Sequence, residues 1–311
     1  LNPANPWINC RWHLVAIGLT VMCMGVFAQD QAERTADVVA QPGTPASAPP
    51  PTLATQPKPP IDPRSFDGAF GLVLRHGAAY AGGLQRISEL APGGYVRWGR
   101  LSLVGRGGFA IRSKEELSSG AEYELVRTDQ LRSSVSLRLA SGRDEGKTAE
   151  LRGMGDIDGT VRLRLGASYA LTRRWSLRGG LSPDVRGKGL GTLLDVGLGR
   201  SWNLSDTRRL DFGLGVSAGD KRYMRAWHGV TPAQAAGSSY ATFRPGAGVK
   251  DMRISMTLRE ELGRDGGGFF GGRWSAYVRG SVGRLLGEAA NSPLTLQAGN
   301  WQLTGGLAKR F

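Results

Sequence analysis

From Phe66 to Phe311, apolar and polar positions alternate with a period of two. Phe66, Gly68, Phe70, Leu72 and Leu74 share one face. Leu131, Val135, Leu137 and Leu139 oppose Arg132, Ser134, Ser136 and Arg138. Val161, Leu163, Leu165, Ala167 and Tyr169 oppose Arg162, Arg164, Gly166 and Ser168. This pattern predicts strands, because an amphipathic helix repeats its apolar positions every three to four residues. Twelve strands are predicted: 66–75, 93–98, 101–110, 121–127, 131–140, 159–170, 174–181, 190–202, 208–216, 247–259, 272–285 and 300–311. Strand boundaries leave some freedom, and ten or fourteen strands are the alternatives.

The connections segregate. With the amino terminus on the periplasmic side, the turns 99–100, 128–130, 171–173 and 203–207 are short, and 260–271 is the exception. The opposite connections, 76–92, 111–120, 141–158, 182–189, 217–246 and 286–299, all have at least eight residues. A soluble sandwich has no reason to alternate short with long, whereas an outer-membrane barrel does. The final strand reads WQLTGGLAKRF. Trp301, Leu303, Gly305 and Leu307 face one way, Gln302, Thr304, Gly306 and Arg310 the other, and Lys309 lies on the apolar side near the end, where it can snorkel. The chain stops on an aromatic residue, Phe311, as a strand that closes a barrel in lipid does. The fold class expected is therefore all-β: a transmembrane antiparallel β-barrel, residues 65–311, of twelve strands.

Composition adjusts this picture. Glycine is 47 of 311 residues, about twice ordinary usage, which suits closely paired strands and tight turns. Leu14 to Ala28 is an apolar run of 15 residues after Arg11 and His13, too short to span a membrane and right for a secretory signal. Residues 1–28 are expected to be that signal, cleaved before Gln29. Residues 29–64 carry nine prolines between Pro42 and Pro63 and are expected to be a disordered periplasmic linker. Cys10 and Cys23 both precede the cleavage site, so the mature chain has no thiol for disulfides or metals.

The net charge is +14. Position assigns it. Arg97, Arg106, Arg132, Arg138, Arg162, Arg164, Arg178, Arg253, Arg279 and Arg310 fall opposite the apolar stripe. An arginine at the lipid midplane costs roughly 2–4 kcal/mol, so these side chains are expected in the lumen. The basic balance then needs no nucleic acid. An open lumen would prefer anions; Glu124, Asp195 and Asp211 on the same face would neutralise a plugged one. Both states stay open at this level. Trp98, Trp175, Trp202, Trp274 and Trp301 near strand ends fit interfacial belts.

Little here supports catalysis. The mature chain holds only His76 and His228, both in predicted outward connections and neither at metal-ligand spacing. Ser88 lies near His76, and Ser238 and Ser239 lie near His228, but no nucleophile motif surrounds them. Asp156 and Asp158 read as a solvated loop. No enzyme, metal or cofactor is expected.

One stretch is more specific. Residues 219–240, GDKRYMRAWHGVTPAQAAGSSY, with GAGVKD at 246–251 and Gly287-Glu288 before Asn291 to Leu294, resemble the MipA/OmpV family of outer-membrane proteins. The residues carrying the resemblance are Asp220, Tyr223, Gly229, Val230, Thr231, Pro232, Ala233, Gln234 and Ala235, and it spans roughly 66–311. It departs at His228, where Tyr or Phe is expected, and at Glu288, where Asp is. The resemblance implies a barrel in the bacterial outer membrane, in contact with its lipid and lipopolysaccharide and assembled through its C-terminal strand by the barrel-assembly machinery. It further implies a scaffold joining a lytic transglycosylase to a peptidoglycan synthase, and brings no catalytic residues. The function expected is a structural or scaffolding role in the envelope. The segment 217–246 is long enough to fold into the mouth, with Thr231 and Pro232 ready to start a helix. The alternatives are an anion-preferring channel and an outer-membrane lipid hydrolase.

Overall fold

A computed structural model describes residues 65–105, 119–262 and 273–311. Residues 1–64, which hold the expected signal and linker, lie outside the described residues, as do Arg106 and most of the turn expected at 260–271. Twelve strands form one closed antiparallel barrel: β1 Phe66–Ala78, β2 Arg86–Trp98, β3 Leu101–Val104, β4 Gly120–Arg127, β5 Leu131–Ala140, β6 Thr160–Ala170, β7 Trp175–Pro183, β8 Thr192–Asn203, β9 Arg208–Gly219, β10 Gly248–Leu262, β11 Arg273–Leu285 and β12 Gly299–Arg310. Each strand pairs with its sequence neighbours, and β12 closes on β1 from Ala69↔Arg310 to Gly77↔Gln302. Closure pairs the first strand with the last, which is what lipid demands of a sheet. No helix among the described residues is long and apolar enough to cross a membrane; strands do the crossing.

Alternation separates two faces. Phe70, Leu72, Leu74, Leu137, Leu139, Leu165, Val196, Val278, Val282, Leu303 and Leu307 are exposed on the outside. Inside, Ala69, Val73, Tyr95, Val104, Tyr277 and Ala308 form a buried apolar cluster along the closing seam.

Several boundaries differ from the sequence reading, and three of the differences matter. β2 begins at Arg86 instead of 93, so the first outward connection shrinks to 79–85, below eight residues. Pro92 and Gly93 disguise this half of the strand, since both weaken sheets. Pairing with β1 carries it through, with Pro92 opposite Leu72, while the described β3 meets β2 only from Tyr95 to Trp98. Consequently His76 lies in β1 and not in a connection. At the other end, β10 runs on to Leu262, paired with Trp274.

Among the described residues, three short α-helices, α1 Lys221–His228, α2 Pro232–Gly237 and α3 Gly287–Ala290, lie in connections at the end of the barrel with the long loops.

Candidate functional site

The inner wall is built by arginines, carboxylates and glycines. Arg97 and Glu124 are 5% and 9% exposed and joined at 3.0 Å; Arg127 reaches the same carboxylate at 2.6 Å. A bulge between Glu124 and Val126 bends β4 at this point. Arg164 pairs with Asp195 through both guanidinium nitrogens, Nη2 at 2.6 Å. Asp211 accepts from Arg209 at 3.1 Å and from Arg259. Arg310 lies 3.9 Å from Asp67 and 3.2 Å from Glu261.

Glycine gives these side chains room. A Cβ on Gly180 would stand 2.2 Å from Cζ of Arg164, and one on Gly199 would stand 2.8 Å from Nη2 of Arg178. Both guanidinium groups thus lie flat along the wall, over glycines of neighbouring strands.

Of the arginines named from sequence, Arg97, Arg162 and Arg164 sit deep in this wall. Arg132, Arg138, Arg178 and Arg279 share its face by alternation, partly exposed. Arg253 shares the face too, but its side chain is 59% exposed, at 3.9 Å from Asp251. Sequence reasoning missed Arg127, Arg209, Lys250 and Arg259. Arg259 has the parity of Arg253 and was readable. Lys250 was not, because a bulge between Val249 and Asp251 sets Lys250 beside Asp251, 2.7 Å apart, on one face.

The mouth at the long-loop end carries a packed cap. Asp220 caps α1 by accepting from the Tyr223 N–H at 2.7 Å, and Gly191 admits that cap: a Cβ there would lie 2.2 Å from Asp220 Oδ1, and its φ is +63°. α1 turns Tyr223 and Met224 towards the wall. The Tyr223 ring takes Arg162 at 5.2 Å and Lys250 at 5.8 Å, both cations of the inner face. Met224, fully buried, packs with Leu285 and Ala289. Gly229 approaches Arg225 too closely for a Cβ, which would meet its carbonyl at 2.4 Å. Thr231 and Gln234 form a reciprocal capping box on α2, with Pro232 in its first turn, as the sequence anticipated. Val230 joins Met154 and Leu294 in a second apolar cluster, with Ala235 against it; Ala233 is exposed.

Hydrogen bonds tie four connections into this cap. Gln234 Nε2 donates to the Met154 carbonyl at 2.7 Å, Tyr240 to that of Glu150 at 2.7 Å, and Arg143 to that of Trp227 at 3.3 Å. Ser292 donates to the His228 carbonyl at 2.7 Å, and Tyr80 to that of Leu294 at 3.1 Å. Burial, together with Lys250 and Arg143, pushes the His228 imidazole down to about 4; Asp251 opposes this. Burial also raises the Tyr80 phenol, helped by Glu150.

The remaining candidates are dispersed. His76 Nδ1 lies 2.9 Å from Ser88 Oγ, but on the outer face beside Trp301, and no described side chain hydrogen-bonds its other nitrogen to orient it. Asp156 accepts from the Glu145 N–H, and Asp158 pairs with Lys188 at 2.7 Å, which holds its carboxyl below the usual range. No group of three or more His, Cys, Asp or Glu stands ready for a metal among the described residues.

A closed twelve-strand barrel with an apolar outer belt, aromatic ends and a polar inner wall defines a bacterial outer-membrane β-barrel. The chain belongs to the family described as MltA-interacting protein MipA, which matches residues 70–311. No curated protein matches it. Among solved structures it is similar to an outer membrane channel from Pseudomonas putida F1, at 12% identity and a TM-score of 0.36, over 82% of this chain and 100% of that one. It is similar also to an anion-selective porin from Comamonas acidovorans, at 11% identity and 0.32, over 79% and 99%. OprD of Pseudomonas aeruginosa gives 7% and 0.31, over 82% and 98%.

Proposed function

We propose that this barrel is an anion-preferring solute channel with a packed cap at its outer mouth. The observation that carries this reading is the charge of the inner wall. Basic side chains there outnumber the carboxylates Asp67, Glu89, Glu122, Glu124, Asp195, Asp211, Asp251 and Glu261. A dry, sealed interior does not tolerate such a surplus, because each uncompensated buried ion costs several kcal/mol. The lumen therefore holds water and mobile anions. Arg253, the most open of the ion-paired arginines, faces that water. Small anions are the solutes such a wall selects.

A structural role, with cell-wall enzymes as partners, is the second reading. The packed cap favours it, since two apolar clusters hold the connections together at the mouth. Against it, the described turns at the opposite end are short, 99–100, 128–130, 171–174 and 204–207, and give a periplasmic enzyme little surface. Planar-bilayer recording separates the two. The channel reading expects stable steps in the intact protein, or steps that emerge when residues 220–245 are removed. Silence in both proteins would leave the structural reading.

A further inference from the structure

Arg200 belongs to the outer surface of the barrel and not to its inner wall. It lies on the outer face of β8, two residues from Leu198 and in register with Trp175 of β7. Its Cζ stands 5.0 Å from the Trp175 ring and 4.8 Å from that of Trp202. Two indoles thus flank one guanidinium. Its Nε is buried with no hydrogen-bond acceptor among the described residues. The turn beside it, 171–174, adds Arg173 and Arg174, both exposed, and the Arg174 carbonyl accepts from the Ser201 N–H at 3.1 Å, which holds the turn against β8. No carboxylate pairs with any of these three arginines among the described residues.

The level of this cluster in the membrane follows from the topology. β7 starts at Trp175 and β8 ends at Asn203, so the cluster sits at the short-turn end, where the headgroups of the periplasmic leaflet begin. An arginine that merely snorkelled would extend into water. Arg200 instead stays within 5.0 Å of both rings.

We propose that Trp175, Arg200 and Trp202, with Arg173 and Arg174, bind the headgroup of an anionic glycerophospholipid of the inner leaflet. The phosphate accepts from the guanidinium groups, the indoles cover the glycerol and upper acyl chains, and the net negative charge of the headgroup meets a basic patch with no carboxylate partner among the described residues. This site lies outside the lumen and is independent of whether the barrel conducts.

The test is lipid retention by the full barrel, purified from bilayers of equal phosphatidylglycerol and phosphatidylcholine and read by native mass spectrometry. The wild type should keep phosphatidylglycerol in preference, and Arg200→Gln should reduce that preference about fivefold, the factor one interfacial cation confers. The Arg173→Gln/Arg174→Gln variant, altered only in a surface turn, reports the same loss if Arg200→Gln does not fold. Equal retention of the two lipids by the wild type, or a preference unchanged in both variants, would overturn the proposal.

Discussion

The ring of Phe311 lies over Gly68, so closely that a Cβ on that glycine would come within 2.4 Å of it. Phe66 and Phe70 flank the ring at 5.8 and 6.3 Å, and β1 and the residue after β12 exchange hydrogen bonds, Phe311 N to Gly68 O at 3.0 Å and Gly68 N to Phe311 O at 3.3 Å. The last residue therefore latches the seam at which the barrel closes. An aromatic covering a strand glycine in this way fixes register as well as adding contact.

Phe311→Ala should lower barrel stability by about 1 kcal/mol, the worth of such aromatic contacts. Gly68→Ala should have a similar effect by displacing the ring. Because both act on one contact, the double variant should be hardly worse than either single one. The midpoint of heat-modified gel migration measures all three, and full additivity would contradict the latch.

Glu124 holds two arginines of the inner wall at once. Glu124→Ala leaves Arg97 and Arg127 without that carboxylate in a buried setting, and should cost about 3–5 kcal/mol. Refolding yield in detergent and the same thermal midpoint read this loss. A neutral result would mean that water reaches the triad freely.

The cap should melt separately from the barrel. Met224 is fully buried between α1, α3 and β11, so Met224→Ala should weaken the cap by about 2–5 kcal/mol. Limited proteolysis should then cut within 220–247 while heat-modified migration of the barrel stays unchanged. Loss of both together would show that cap and barrel form one cooperative unit.

Acid should loosen the cap through His228, which is 4% exposed and faces Lys250, Asp251 and Arg143. Its folded value, about 4, lies below the ordinary 6.5. The unfolded cap thus binds the proton more readily, so stability is fully present above pH 6.5 and falls as pH drops from 6.5 towards 4. The loss across that window is on the order of 3 kcal/mol. Protease sensitivity of 220–247 should rise as pH falls from 7 to 4.5, and His228→Phe should flatten the profile between pH 6.5 and 4.5. An unchanged profile in that variant would assign the acid response elsewhere.

The strands were legible because most turn an apolar stripe to lipid, with interruptions such as Arg200 and Lys309 confined to the strand ends. Pro92 and Gly93 hid half of β2, since pairing with β1 outweighs local propensity there. The basic inner face was legible from the parity of Arg132, Arg138, Arg162 and Arg164. Its pairing was not: Arg164 meets Asp195 across β7, a neighbour relation that exists only once register is set. Lys250 escaped because a bulge reverses parity. In the cap, Thr231 and Pro232 announced α2, while the partners of the loop, Met154, Glu150 and Arg143, stand in a different connection whose sequence carries no period at all.

The account rests on a lumen that carries anions. The direct measurement is the reversal potential of single channels in a planar bilayer across a tenfold KCl gradient, for the wild type, the form lacking residues 220–245, and Arg178→Glu/Arg253→Glu. The account predicts a potential on the chloride side of zero for whichever of the first two forms conducts, moved towards or past zero by the two charge reversals. Cation selectivity, or a potential indifferent to both substitutions, would contradict it.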